Sequence, residues 1–186
     1  MKIQITIVGL GQIGASIGLA LGEHPELVKR VGSDHDGNTV KQANKINAID
    51  ETALRLPSAV SKSDVVLLAI PVDQMRLMME IVAPEMKAGA VLMDTAPIKA
   101  KIADWAAELL PKGCDYIGLT PVIAPQYLLS DESGISAAHA DLFQEGLIGI
   151  ASPPGTDSTA IKLAADIVRL VGAAPLFSDL VENDGL

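Results

Sequence analysis

Apolar residues in this chain follow two rhythms that alternate from end to end. Short, largely apolar runs rich in Ile, Val and Leu predict buried strands over residues 3–8, 28–33, 65–70, 91–93, 116–119, 147–151 and 174–177. Between them the apolar positions recur at helical spacing. The run from Ser16 to Leu21 continues as an apolar helix, and a polar helix is expected over 38–44. A helix over 74–83 places Met75, Met78, Ile81 and Val82 on one face, where methionine reads as core filler. Ile98, Ile102, Trp105 and Leu109 form a further stripe, with Pro97 in the first turn of that helix. A short helix is expected over 136–143, and a longer one is capped by Thr156 and ended by Gly172. Residues 49–60, which include Pro57, and 120–129 read as irregular. This alternation predicts an α/β fold: a doubly wound, mostly parallel sheet covered on both faces.

The first strand carries the chemistry. It runs into Gly9-Leu10-Gly11-Gln12-Ile13-Gly14, a Gly-x-Gly-x-x-Gly turn that opens a helix, and the next strand ends at Asp34. The first glycine permits the tight turn, the second lets backbone approach a pyrophosphate, and the third lets the helix lie close to the sheet. Free N–H groups and the positive end of the helix dipole then face the phosphates. An acid about twenty residues on accepts hydrogen bonds from the adenosine ribose. Gly9, Gly11, Gln12, Ile13, Gly14 and Asp34 therefore form a candidate dinucleotide site in a Rossmann-type domain. Asp34 would repel a 2′-phosphate, and His35-Asp36-Gly37-Asn38 supplies no arginine, so NAD is expected rather than NADP. His35 is either a surface turn residue or a partner for adenine.

Composition narrows the partners. A net charge of −9 without any run of lysine or arginine argues against nucleic acid or an anionic membrane surface. No apolar run approaches the ~20 residues that span a bilayer. The first strand starts directly after Met1-Lys2, which leaves no room for a signal peptide, and a cytoplasmic location is expected. Cys114, the single cysteine, excludes an intrachain disulfide and reads as a buried structural thiol. No metal site is expected.

From Val8 to Leu21 the sequence resembles the opening of prephenate/arogenate dehydrogenases. Later segments agree in order and spacing: Ala48-Ile49-Asp50, the run from Ser63 to Val72, Asp94-Thr95-Ala96-Pro97-Ile98-Lys99, and Glu132-Ser133-Gly134 followed by Ala138 and Leu142-Phe143. The resemblance covers essentially the whole chain. It implies NAD(P)-dependent oxidative decarboxylation of a cyclohexadienyl substrate, prephenate or arogenate, in tyrosine biosynthesis. It also implies that Ile70, Pro71 and Val72 line the nicotinamide side of the crevice and that Thr95 lies near the nicotinamide or its ribose.

Two departures accompany the agreement. The family usually places a histidine before the proline after the strand at 116–119, where it resembles a general base; this chain has Thr120-Pro121. Its Asp-x-x-Ser-x-Lys pattern has a serine where Pro97 stands here. Thr120 is accordingly the candidate catalytic position, able to orient a substrate oxygen but not to take its proton. His139 is expected on the surface rather than as a replacement base. Family members also carry a helical C-terminal domain that dimerises and helps bind substrate. Residues 1–180 are thus expected to form the dinucleotide-binding domain and 181–186 the start of that second domain, through which a homodimer would form. Two other readings stay open: a non-catalytic NAD-binding module, and a β-hydroxyacid or imine-reducing dehydrogenase. Lys99 would be the catalytic lysine of the last class; a first-turn helix lysine is the plainer reading.

Overall fold

The computed structural model describes residues 2–184, leaving aside the side chain of Asn183. Among these residues eight strands form one sheet in the order β3-β2-β1-β4-β5-β6-β7-β8. They are β1 (Ile3–Val8), β2 (Val28–Ser33), β3 (Glu51–Thr52), β4 (Val65–Leu68), β5 (Val91–Asp94), β6 (Asp115–Pro121), β7 (Leu147–Ala151) and β8 (Ala174–Ser178). All neighbours pair in parallel except β6 and β7, which run antiparallel. The helices are α1 (Gln12–Leu21), α2 (Gly37–Lys45), α3 (Leu56–Val60), α4 (Val72–Val82), α5 (Ala100–Leu109), α6 (Ser158–Leu170) and α7 (Leu180–Asp184). This is the doubly wound architecture that the alternation implies.

Strand alternation explains the continuous apolar runs. Val65 and Leu67 enter one core with Ile5, Ile7, Ile17 and Val168, under α1 and α6. Val66 and Leu68 enter the other with Met75, Met79 and Ile102, under α4 and α5. A strand buried on both faces has no polar side to show. The strand order reverses between β1 and β4, and a crevice opens there beyond their carboxyl ends.

Several local expectations need correction. Residues 49–60 are not irregular: they hold the two-residue β3 and the single-turn α3, with Pro57 in its first turn. On α4 the buried face is Met75, Met79 and Val82, at i, i+4 and i+7; Ile81 is exposed and Met78 half-buried. Helix α5 starts at Ala100, so Pro97 precedes it and Ile98 is exposed; the segment before it is held by Thr95 N–H bonded to Leu68 O and Ala96 N–H bonded to Asp94 Oδ1. Strand β6 extends through Pro121 by pairing with β7. The expected helix over 136–143 shrinks to a 3-10 turn, Gly134–Ala137, after which the His139 N–H donates to Ser16 Oγ at 3.0 Å instead of to a helical carbonyl. Asp157, not Thr156, caps α6: it accepts the Thr159 N–H at 2.8 Å, while Thr156 Oγ1 donates to Pro153 O. Cys114 is half-buried rather than buried. Residues 180–184 are helical; Met1, Gly185 and Leu186 lie outside the described residues.

Candidate active site

The crevice is a groove of about 340 Å³ lined by Val8, Gly9, Gly11, Ser33, Asp34, His35, Ala69, Ile70, Pro71, Gln74 and Met78. Backbone bonds align the strand ends around it: Gly9 N–H to Ser33 O at 2.9 Å, Ala69 N–H to Val8 O at 2.8 Å, and Thr95 N–H to Leu68 O at 3.1 Å. Six of the candidate residues thereby meet in one wall-to-wall space: Gly9, Gly11, Asp34, His35, Ile70 and Pro71. Gln12, Ile13 and Gly14 form the first turn of α1 beside it, and Val72 begins α4 directly after Pro71. Gln74 and Met78, one turn apart on α4, are additions to the candidate set: Gln74 has no role in the sequence reading, and Met78, read there as core filler, lines the groove instead. Their spacing i, i+4 just after Ile70-Pro71 was the available signal.

The glycines of the turn divide by purpose. Gly9 has φ +91, and a Cβ there would stand 2.3 Å from Ala69 O; at Gly14 it would stand 1.9 Å from Gly9 O. Both are demanded by the fold. Gly11 is different: its φ is −73, and an added Cβ would meet nothing within 4 Å. No packing inside the domain requires a glycine at this position, so the space over it suits a ligand pressed against backbone. Helix α1 also has no side-chain cap, unlike α2, where Asp36 accepts the Asn38 and Thr39 N–H groups. The groove thus offers open amides and a positive helix end at one wall.

Beside the turn stands Asp34. Its Oδ2 accepts the Leu10 N–H at 2.7 Å and its Oδ1 accepts the Asp36 N–H at 2.9 Å, which fixes the carboxylate against the glycine turn. His35 is largely exposed, with Nδ1 3.1 Å from Asp34 Oδ1. A carboxylate held this firmly keeps lone pairs for further donors such as ribose hydroxyls. The set therefore fits a dinucleotide: anion-ready amides, an acid at ribose distance along the motif, and apolar Ile70, Pro71 and Met78.

Beyond β4 in the sheet stand β5 and β6. Gly118 is level with Asp94 in the sheet register, so Thr120 stands beyond the end of β5, half-buried, on the same strand face as Tyr116 and Gly118. Below it lies a buried polar cluster. Lys99, expected in the first turn of a helix, is the N-cap residue of α5; it and Asp94 are both fully buried and pair at 2.9 Å. The Tyr116 hydroxyl donates to Asp94 Oδ2 at 2.7 Å. Burial pushes the Asp94 carboxyl up and the Lys99 amine down, against the pull of each on the other; burial likewise raises the Tyr116 hydroxyl. His139 lies elsewhere, partly exposed and stacked on Tyr127 with ring centroids 4.3 Å apart. Among the described residues no group of three or more His, Cys, Asp or Glu comes together to hold a metal. No helix is long and apolar enough to cross a membrane among them.

The profile of the family described as prephenate dehydrogenase, nucleotide-binding domain, matches residues 17–176. The chain belongs to this family. A prephenate dehydrogenase of Bacillus subtilis is 28% identical over 187 residues, covering 100% of this chain and 49% of the relative. A 4-amino-4-deoxyprephenate dehydrogenase of Streptomyces pristinaespiralis is 40% identical over 68 residues, covering 37% of this chain and 23% of its own length. Among solved structures, prephenate dehydrogenase of Aquifex aeolicus, in complex with hydroxyphenyl propionate and NAD+, superposes with a TM-score of 0.85 at 20% identity, over 99% of this chain and 62% of the other. That likeness establishes the shared Rossmann-type fold. The chain spans about half the length of the curated relatives it matches.

Proposed function

We propose that this domain binds NAD across the β1/β4 crevice and presents it to a cyclohexadienyl substrate, as the nucleotide-binding half of a dehydrogenase that carries out oxidative decarboxylation in tyrosine biosynthesis. The observation that carries this reading is the open space over Gly11, at the start of an uncapped helix and in the same groove as Asp34. In this reading the N–H groups from Gly11 into the first turn of α1 hold the pyrophosphate, while those of Gly9 and Leu10 stay bonded to Ser33 O and Asp34 Oδ2. Asp34 holds the adenosine ribose and repels a 2′-phosphate, which favours NAD over NADP; exposed His35 flanks the adenine. Ile70, Pro71 and Val72 exclude water from the nicotinamide side, and Thr95 bounds that side at the end of β5. Bound NAD supplies the hydride acceptor.

Thr120 meets the reacting ring. Its hydroxyl can orient a heteroatom on the carbon that loses hydride, but a threonine is too weak an acid and base to carry the proton away. A positioned base contributes about 10²–10⁴-fold, so oxidation of a ring alcohol here proceeds with the proton passing to water, driven by loss of carbon dioxide and aromatisation. The threonine favours a second reading of the substrate. Where that ring carbon carries a neutral amine, the nitrogen lone pair drives hydride departure without a base. The Streptomyces relative named as a 4-amino-4-deoxyprephenate dehydrogenase has such a substrate in its name.

The test is reduced-nicotinamide absorbance with the complete protein, NAD and, in turn, prephenate, arogenate and 4-amino-4-deoxyprephenate. Turnover with either of the first two supports the ring-alcohol reading, and turnover with the third alone supports the amine. NAD bound without turnover of any of them overturns the dehydrogenase reading and leaves a binding module.

A further inference from the structure

A lysine and an aspartate with no exposed surface are costly to keep, because a pair of apolar residues in their place commonly serves stability as well or better. This pair sits at the carboxyl end of β5, next to the strand whose end lines the cofactor groove. Its contacts converge on one residue. Asp94 Oδ1 accepts the Ala96 N–H at 2.8 Å, and Lys99 Nζ donates to Ala96 O at 2.6 Å as well as to Asp94 Oδ1 at 2.9 Å. Both polar groups of Ala96 are thus clamped. Thr95, the residue before it, is tied on its other side by its own N–H to Leu68 O. The turn is therefore anchored at both ends of Thr95.

The surroundings are shaped for the clamp. Gly118 on β6 leaves room for the lysine stem: a Cβ there would stand 2.4 Å from Lys99 Cδ. Tyr116 from the same strand holds the second oxygen of Asp94. From outside, the Asp184 carboxylate of α7 accepts the backbone N–H groups of Lys99 and Ala100 and so caps α5.

We propose that Lys99 is a positioning residue for the nicotinamide end of the site: through Asp94 and Ala96 it fixes Thr95 against the cofactor's reactive end, while taking no part in the adenosine end. This rests on the reading of the crevice as an NAD site. The alternative is a core ion pair that serves the fold alone. The two differ in which part of the cofactor feels the loss. ADP-ribose shares the adenosine and pyrophosphate of NAD but lacks the nicotinamide.

Calorimetric titration of the protein with NAD and with ADP-ribose separates them, using wild type, Lys99→Met and Tyr116→Phe, with thermal melts alongside. The expected result is a loss of NAD affinity of about tenfold in Lys99→Met, with ADP-ribose affinity held within about twofold. Tyr116→Phe, which removes one hydroxyl and keeps the ring, is expected to shift NAD in the same direction by a smaller factor, and it carries the test if Lys99→Met does not fold. Equal shifts for both ligands, or no shift for either, overturn the positioning role. Wild-type protein that binds neither ligand removes the NAD reading itself, and this proposal falls with it.

Discussion

The Asp34 carboxylate accepts the Leu10 N–H at 2.7 Å, so the acid at the end of β2 and the glycine turn after β1 are built as one unit. The carboxylate is thereby held where a second set of donors can reach its free lone pairs, and its charge lies next to the amides that would face a pyrophosphate. Asp34→Ala should weaken NAD about 10–100-fold, the loss of one or two hydrogen bonds to a charged acceptor at about 1.5–3 kcal/mol. The same change should narrow the preference for NAD over NADP. Titration of wild type and variant with both cofactors checks this; unchanged affinities would remove Asp34 from the site.

Gly118 provides a packing prediction. The lysine stem that lies over it is anchored at its tip by Asp94 and Ala96 and cannot swing away. Gly118→Ala should therefore cost about 1–3 kcal/mol, as overpacking does. Urea denaturation measures it. In Lys99→Met the flexible thioether can yield, and the alanine should cost less in that background.

Thr120 separates the two substrate classes. Thr120→His should raise turnover of a ring alcohol by up to about 10²-fold, because it restores a proton acceptor. On a ring amine the same variant should gain nothing. Steady-state rates with both substrates decide between them.

Acid stability has a local source. Burial works against the charge on Asp50, but Arg30 outweighs it through hydrogen bonds from Nε, Nη2 and the backbone N–H, holding the carboxyl below its usual range. A carboxylate depressed in the folded state stabilises above its unfolded pKa, about 3.9, and that contribution drains away as pH falls through the folded value. Asp50→Asn should therefore melt lower than wild type at pH 7, and the gap should shrink below about pH 4. A gap independent of pH would contradict the assignment.

Local patterns carried most of this fold. The runs at 65–68 and 91–94 are strands because both of their faces are covered, and residues 9–14 read as a turn because each glycine has a mechanical reason there. What escaped is non-local. The burial of Lys99 depends on Asp94, on Tyr116 and on the missing side chain of Gly118 in the next strand, none of which helical periodicity registers. β3 is only two residues long and exists through its pairing with β2. Gln74 and Met78 reach the groove because α4 crosses it, and a hydrophobic stripe alone assigns such a methionine to the core.

The most direct measurement of the central claim is calorimetric titration of NAD into wild type and Gly11→Ala, with a thermal melt of each. An added methyl at Gly11 meets nothing in the domain, so the variant should keep wild-type stability within about 0.5 kcal/mol while losing about tenfold or more in NAD affinity. Equal affinity for NAD in the two proteins, or heat of binding in neither, would contradict the account.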